Sequence, residues 1–175
     1  SDLSDAAFFF NTDLKTPLAG RREKLKTIVF QAELGTLFDK SERVAKLAAY
    51  IAEKIGGNVA WAQRAGALSK CDLVSNMVQE FDTMQGIAGS YYAQHDGESA
   101  EVAAAMQEQY LPKFAGDAVP LELLGQQVAA RDLHLVDRLR RLGVEPEPAA
   151  ELRFRRIADA DVVADALAAA DDEDD

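Results

Sequence analysis

The chain has 175 residues and one cysteine, Cys71, so no intrachain disulfide can form. That agrees with a reducing compartment. No run of ~18 apolar residues occurs, which excludes a membrane-spanning helix read from hydropathy. No basic-plus-apolar leader stands at the N-terminus. Only two histidines occur, His95 and His134, and neither has a recognisable catalytic partner. The sequence contains no Gly-x-x-x-x-Gly-Lys-Ser/Thr loop and no Gly-x-Ser-x-Gly elbow. No segment alternates with period two for long enough to make a sheet, and no internal repeat is found.

What is present is apolar residue content of 48%, an ordinary globular level, in a length suited to one domain with a real core. The formal net charge is -11. It favours solubility and opposes non-specific nucleic-acid binding. The charge is uneven, however. Asp171 to Asp175 are all acidic, whereas Lys15 to Lys46 holds eight cations against four acids.

Helical spacing dominates. Leu25, Ile28, Val29, Ala32 and Leu34 fall on one face of an expected helix, ended by Gly35. Val44, Leu47, Ala48, Ile51 and Ile55 form the next stripe, stopped by Gly56-Gly57. Asn58 is the expected N-cap of a helix through Trp61, Ala65 and Leu68. Asp72 to Phe81 and Met84 to Tyr92 are two further expected helices. Gly97-Glu98-Ser99 makes a turn and cap before Val102, Ala105, Met106 and Tyr110, and Pro112 stops that helix. Phe8 to Leu14 is the one extended candidate. Leu121 to Leu142 and Ala149 to Ala170 are expected to be helical around a break at Gly143, Pro146 and Pro148. The expected class is all-α, with an arm over residues 1–20, a helical domain over 21–132, a divergent helical extension over 133–170, and an acidic disordered tail over 171–175.

Five runs carry a resemblance. They are Phe8-Phe9-Phe10-Asn11-Thr12-Asp13-Leu14, Leu34-Gly35-Thr36-Leu37-Phe38-Asp39-Lys40 with Arg43, Leu68-Ser69-Lys70-Cys71-Asp72-Leu73, Tyr91-Tyr92-Ala93-Gln94-His95-Asp96-Gly97-Glu98, and Tyr110-Leu111-Pro112-Lys113-Phe114-Ala115-Gly116-Asp117. In this order the chain resembles one segment of the β subunit of bacterial heterotetrameric glycyl-tRNA synthetase. In that family the triple-Phe run lies well inside the subunit, so the chain is expected to be a piece of a longer polypeptide. The resemblance ends near Asp132. It implies that amino-acid activation, with its ATP and Mg, belongs to a partner α subunit. This chain would bind no cofactor itself and would act in the cytoplasm, with no membrane involvement. Its implied partners are tRNA(Gly), the α subunit and the rest of the β subunit.

The Leu34 to Leu73 stretch also looks like an HD domain, a helical metal-dependent phosphohydrolase fold. Lys40-Ser41-Glu42-Arg43-Val44 stands where that family has His-Ser-x-Arg-Val, and Cys71-Asp72 stands where it has His-Asp. Asp132 is the candidate for the final ligand. An ammonium has no lone pair to give a cation, and one thiol with two carboxylates is an unusual donor set. The metal site is therefore expected to be degenerate, with no metal bound and Lys40 neutralising Asp72. In the His95-Asp96 pair, Asp96 or Ser99 is expected to cap the following helix. Candidate phosphate contacts are Arg21, Arg22, Lys24, Lys26, Lys40, Arg43, Lys70 and Lys113. Tyr91, Tyr92 and Phe8 to Phe10 are candidates for stacking on unpaired bases. Two other functions fit the residues less well: a working metal-dependent HD nucleotide phosphohydrolase, and a stand-alone helical interaction protein.

Overall fold

The computed structural model describes residues 2–111. Pro112, Lys113, Asp132 and His134, together with the two helices and the disordered tail expected from the sequence beyond them, lie outside the described residues. The described part is helical apart from one small hairpin, as an all-α class requires.

The first helix, α1, spans Asp2–Asp13. This corrects the extended arm expected over 1–20. Phe9 and Asp13 lie one turn apart and face inward. Phe9 meets Phe81 edge to face at 6.5 Å, and Phe10 lies 5.4 Å from the Tyr92 ring. A strand would have turned these neighbours to opposite sides.

A 3₁₀ segment follows over Leu18–Thr27 and buries Leu18 and Leu25. The expected helix from Leu25 to Leu34 does not form. β-Branched Ile28 and Val29 and aromatic Phe30 instead favour extended backbone. Strand β1 (Val29–Gln31) pairs antiparallel with β2 (Gly35–Thr36), Val29 opposite Thr36 and Gln31 opposite Gly35. The Gln31 side chain accepts the amides of Glu33 and Leu34 at 2.7 and 3.0 Å and so shapes the turn. Gly35 does adopt positive φ, at 83°, but in the hairpin rather than at a helix end.

Helix α2 spans Leu37–Ile55. Thr36 and Asp39 form a capping box at its start: Thr36 Oγ1 accepts the Asp39 amide, and Asp39 Oδ2 accepts the Thr36 amide. Val44, Leu47, Ala48 and Ile51 are buried, as their spacing predicts. Gly56 ends the helix at φ 75°. Asn58 caps α3 (Val59–Leu68), accepting the Trp61 amide at 3.0 Å. α3 lies along α2 and presents Ala62, Ala65, Gly66 and Leu68 to the core.

The helix expected over Asp72 to Phe81 is split. A 3₁₀ turn, Cys71–Val74, precedes a short α4 (Asn76–Glu80), and Ser75 ends one and caps the other. A second 3₁₀ turn, Asp82–Met84, leads to Gly86 at φ 82°, and α5 runs over Ile87–His95. The break at Gly86 is why this helix starts later than its apolar spacing suggests. Ser99 caps α6 (Ala100–Glu108), accepting the Val102 amide at 3.1 Å. Asp96 does a different job and accepts the Leu18 amide at 2.8 Å. His95 is exposed in the last turn of α5.

Candidate functional site

Two buried carboxylates, Asp72 and Asp13, organise this region of the fold. Asp72 follows α3 directly, and its side chain turns inward beneath the start of α5. Its Oδ2 accepts the amides of Gly86 and Gly89 at 2.6 and 3.1 Å. It therefore caps the N-terminus of α5, where helix amides lack partners. Its Oδ1 is buried and makes no hydrogen bond. Burial raises the Asp72 carboxyl above its ordinary 3.8, against the pull of the two amides and of Lys70.

Lys40 does not neutralise Asp72, which corrects the expected pairing. Its ammonium is buried over the Phe30 ring, 4.3 Å from the centroid. The cation that favours the ionised form of Asp72 is Lys70. Cys71 is buried and its thiol is pushed up to about 12, chiefly by desolvation. A metal would have to displace that proton against the burial that favours it. Among the described residues, no three His, Cys, Asp or Glu side chains gather closely enough to hold a metal ion. The set at positions 40, 71 and 72 is a poor fit for a divalent cation: an ammonium, one buried thiol and a single carboxylate whose Oδ2 already caps α5. Asp132 lies outside the described residues.

The raised Asp72 value sets the sign of a stability effect. The fold disfavours the ionised form. That cost is absent below the unfolded value and fully present above the folded one. Asp72→Asn keeps an oxygen for the two amides and carries no charge. Its stability relative to the parent is expected to improve as pH rises from about 4 to about 7. Urea unfolding at both pH values measures this, and a pH-independent difference would contradict it.

The second carboxylate, Asp13, was seen in the sequence only as part of the triple-Phe run. It is the most heavily bonded side chain of the described region. It accepts the amides of Asn76 and Met77 at 2.9 Å each, the Asn76 Nδ2 at 3.0 Å, and the Tyr92 hydroxyl at 2.7 Å. Arg21 lies 3.5 Å away as its counter-charge and also donates to the Asp13 backbone carbonyl at 2.8 Å. One signal was available: an acid one turn after Phe9 sits on the apolar face of a helix.

The cationic candidates divide by burial. Arg21, Lys40 and Lys70 are buried. Lys70 donates to Gln109 Oε1 at 2.8 Å and to the Tyr110 hydroxyl at 3.2 Å. These three are placed for structure and not for solvent-borne phosphates. Arg43 donates to the Leu34 carbonyl at 2.9 Å. Arg22 and Lys26 converge on Phe38, at 5.1 and 4.6 Å from its ring. Arg22 also pairs with Glu42, and Lys26 with Glu23 at 2.8 Å. Lys24 and Lys26 are exposed, and Arg22 is partly so. Lys113 lies outside the described residues. Of the aromatic candidates, Tyr92 is buried and bonded to Asp13, and Phe9 and Phe10 are half-buried. Phe8 and Tyr91 are exposed.

Comparison with known proteins places this arrangement. The profile of the family described as glycyl-tRNA synthetase beta subunit matches residues 1–143. The glycine–tRNA ligase beta subunit of Pseudomonas entomophila (strain L48) is 60% identical over 130 residues, covering 74% of this chain and 19% of the relative. Its counterparts in Pseudomonas aeruginosa (strain LESB58) and Aeromonas salmonicida (strain A449) are 58% and 57% identical over the same share of each chain. This chain thus spans about a fifth of the length of those relatives. On the profile match and these identities, the chain belongs to the family of glycyl-tRNA synthetase β subunits.

Proposed function

We propose that this chain is a non-catalytic helical module of a glycyl-tRNA synthetase β subunit. It supports tRNA during the ATP-dependent ligation of glycine to tRNA in the cytoplasm. The observation that carries this reading is the family match across most of the chain. Beside it stands the reassignment of the metal-ligand positions: Asp72 caps α5 and Lys40 covers Phe30. We read α2, α3 and the Cys71–Val74 turn as an HD-type scaffold whose ligand positions now serve packing. A hydrolase would need those side chains free to coordinate a metal and water. Activation of glycine, with ATP and Mg, is assigned to the α subunit. The partners are tRNA(Gly), that α subunit and the remainder of the β subunit.

Within the module, tRNA contact is assigned to the exposed cations of the 3₁₀ segment, Lys24 and Lys26, with Arg22 beside them. Such groups bind phosphates with little choice of sequence. The test is tRNA binding by the 175-residue chain at two salt concentrations, before and after Lys24→Glu with Lys26→Glu. Each lost phosphate contact should lower the slope of log K against log salt by about 0.7–0.9. The double variant is expected to bind more weakly and with a flatter salt dependence. Unchanged binding would remove these residues from the interface. Metal-dependent turnover of a nucleotide by the chain would instead establish the hydrolase. Arg21 is unsuited to charge reversal, because its guanidinium is buried against Asp13.

A further inference from the structure

Phe38 stands in the first turn of α2, where two cations of the preceding 3₁₀ segment meet. The Arg22 guanidinium lies 5.1 Å from its ring centroid and the Lys26 ammonium 4.6 Å. Like charges do not gather unaided. The negative face of the ring attracts both and offsets part of their mutual repulsion. Each cation also has a second tether. Arg22 Nε donates to the Ala67 carbonyl of α3 at 3.3 Å, and Nη2 pairs with Glu42 of α2. Lys26 pairs with Glu23 at 2.8 Å. Two long side chains are thus held in one place by contacts that need no ligand.

Both cations stay usable in this arrangement. Ala67 and Glu42 occupy only part of the Arg22 donor fork, and Glu23 only part of the Lys26 ammonium, so each keeps N–H groups for an incoming oxygen. The Lys26–Glu23 pair is a surface bridge, with 52% and 76% of the two side chains exposed, and such pairs exchange partners at little cost. Asp39, the other acid acting on Lys26, is engaged with Thr36 in the α2 capping box. An oxyanion with several acceptor oxygens suits two adjacent cationic donors. Phe38 itself is half-buried and covered by the cations, so its part is indirect. We propose that Phe38 is a positioning residue for RNA: it gathers Arg22 and Lys26 into one phosphate-binding pair and so lowers the entropy cost of ordering them on binding. This inference rests on the reading of the 3₁₀ segment as a tRNA contact.

The test measures tRNA binding over a salt series by the full-length β subunit that carries this segment, purified with its α subunit. Phe38→Leu keeps an apolar side chain without a π face. It is expected to weaken binding roughly three- to tenfold, the scale of ordering one or two long side chains. The slope of log K against log salt should stay as it is, because no charge is lost. Phe38→Tyr keeps the π face and should bind within about twofold of the parent. In a background of Arg22→Gln with Lys26→Gln, Phe38→Leu is expected to have no further effect. A residue that merely packs α2 would lose binding equally in both backgrounds. That result, a loss not spared by tyrosine, or no loss with Phe38→Leu would overturn the proposal. Phe38→Met runs through the same cycle, so the outcome does not hang on the folding of one variant. Lys24→Glu with Lys26→Glu is measured on the same preparation. If that reversal flattens the salt dependence while Phe38→Leu is silent, the tRNA contact stands and the positioning role falls; if the reversal changes nothing, both fall.

Discussion

Asp13→Ala is expected to destabilise the chain by about 3–5 kcal/mol, the range for breaking a buried ion pair by removing one partner. The Asp13 side chain is fully buried and that of Arg21 nearly so. Removing the carboxylate leaves the guanidinium in the core without a counter-charge. Arg21 Nε already has no hydrogen-bond partner, so there is no local reserve to absorb the loss. The amides of Asn76 and Met77 also lose their acceptor, which leaves the first turn of α4 held only by its Ser75 cap. The Tyr92 hydroxyl, whose ionisation is pushed upward by burial and by Asp13, is stranded as an unpaired donor. Each unsatisfied buried group costs about 1–3 kcal/mol. Urea unfolding gives the number directly. A loss below about 1 kcal/mol would show the pair to be no more than a surface bridge. The double variant with Arg21→Met should lose less than the sum of the single losses, since the stranded charge is then gone.

Gly66→Ala is expected to be destabilising by about 1–3 kcal/mol. On propensity alone the sign would be opposite, since alanine in a helix interior gains about 1 kcal/mol over glycine. Packing decides the case. A Cβ at Gly66 would lie 2.6 Å from Ala45 Cα and 2.7 Å from Ala45 N. Those are backbone atoms of α2, so no rotamer change relieves the contact and the α2–α3 pair must separate. Ala45→Gly should therefore give no rescue. Thermal unfolding of the single and double variants checks both statements. A stable Gly66→Ala, or full rescue by Ala45→Gly, would mean that the helices are not packed this closely.

Local chemistry is legible in the sequence where partners lie within one turn of chain. Asn58 and Ser99 cap the helices they precede, and Gly56 ends α2 in the left-handed region. The buried stripe of α2 follows from its own spacing. Sequence pattern and structure part where two local codes overlap. Phe8 to Leu14 has aromatics suited to a strand, yet its inward positions recur with helical spacing. Ile28 to Gly35 has helical spacing, but its β-branched residues and Gln31 turn it into a hairpin. Among the charges, sequence could not separate Arg21 from Arg22. They are adjacent, but one points into the core and the other toward Phe38 and Glu42.

Family membership, the helical class and the helix ends at Gly56, Asn58 and Ser99 are determined by the sequence alone, because each depends on residue identity or on neighbours a few positions away. The tertiary structure alone decided what the acids and cations do. Asp13 finds Asn76, Met77 and Tyr92 across 63, 64 and 79 positions, and Asp72 finds Gly86 and Gly89 across 14 and 17. A carboxylate that has left water must be satisfied by whatever donors the fold brings to it, and those donors are set by packing rather than by spacing along the chain.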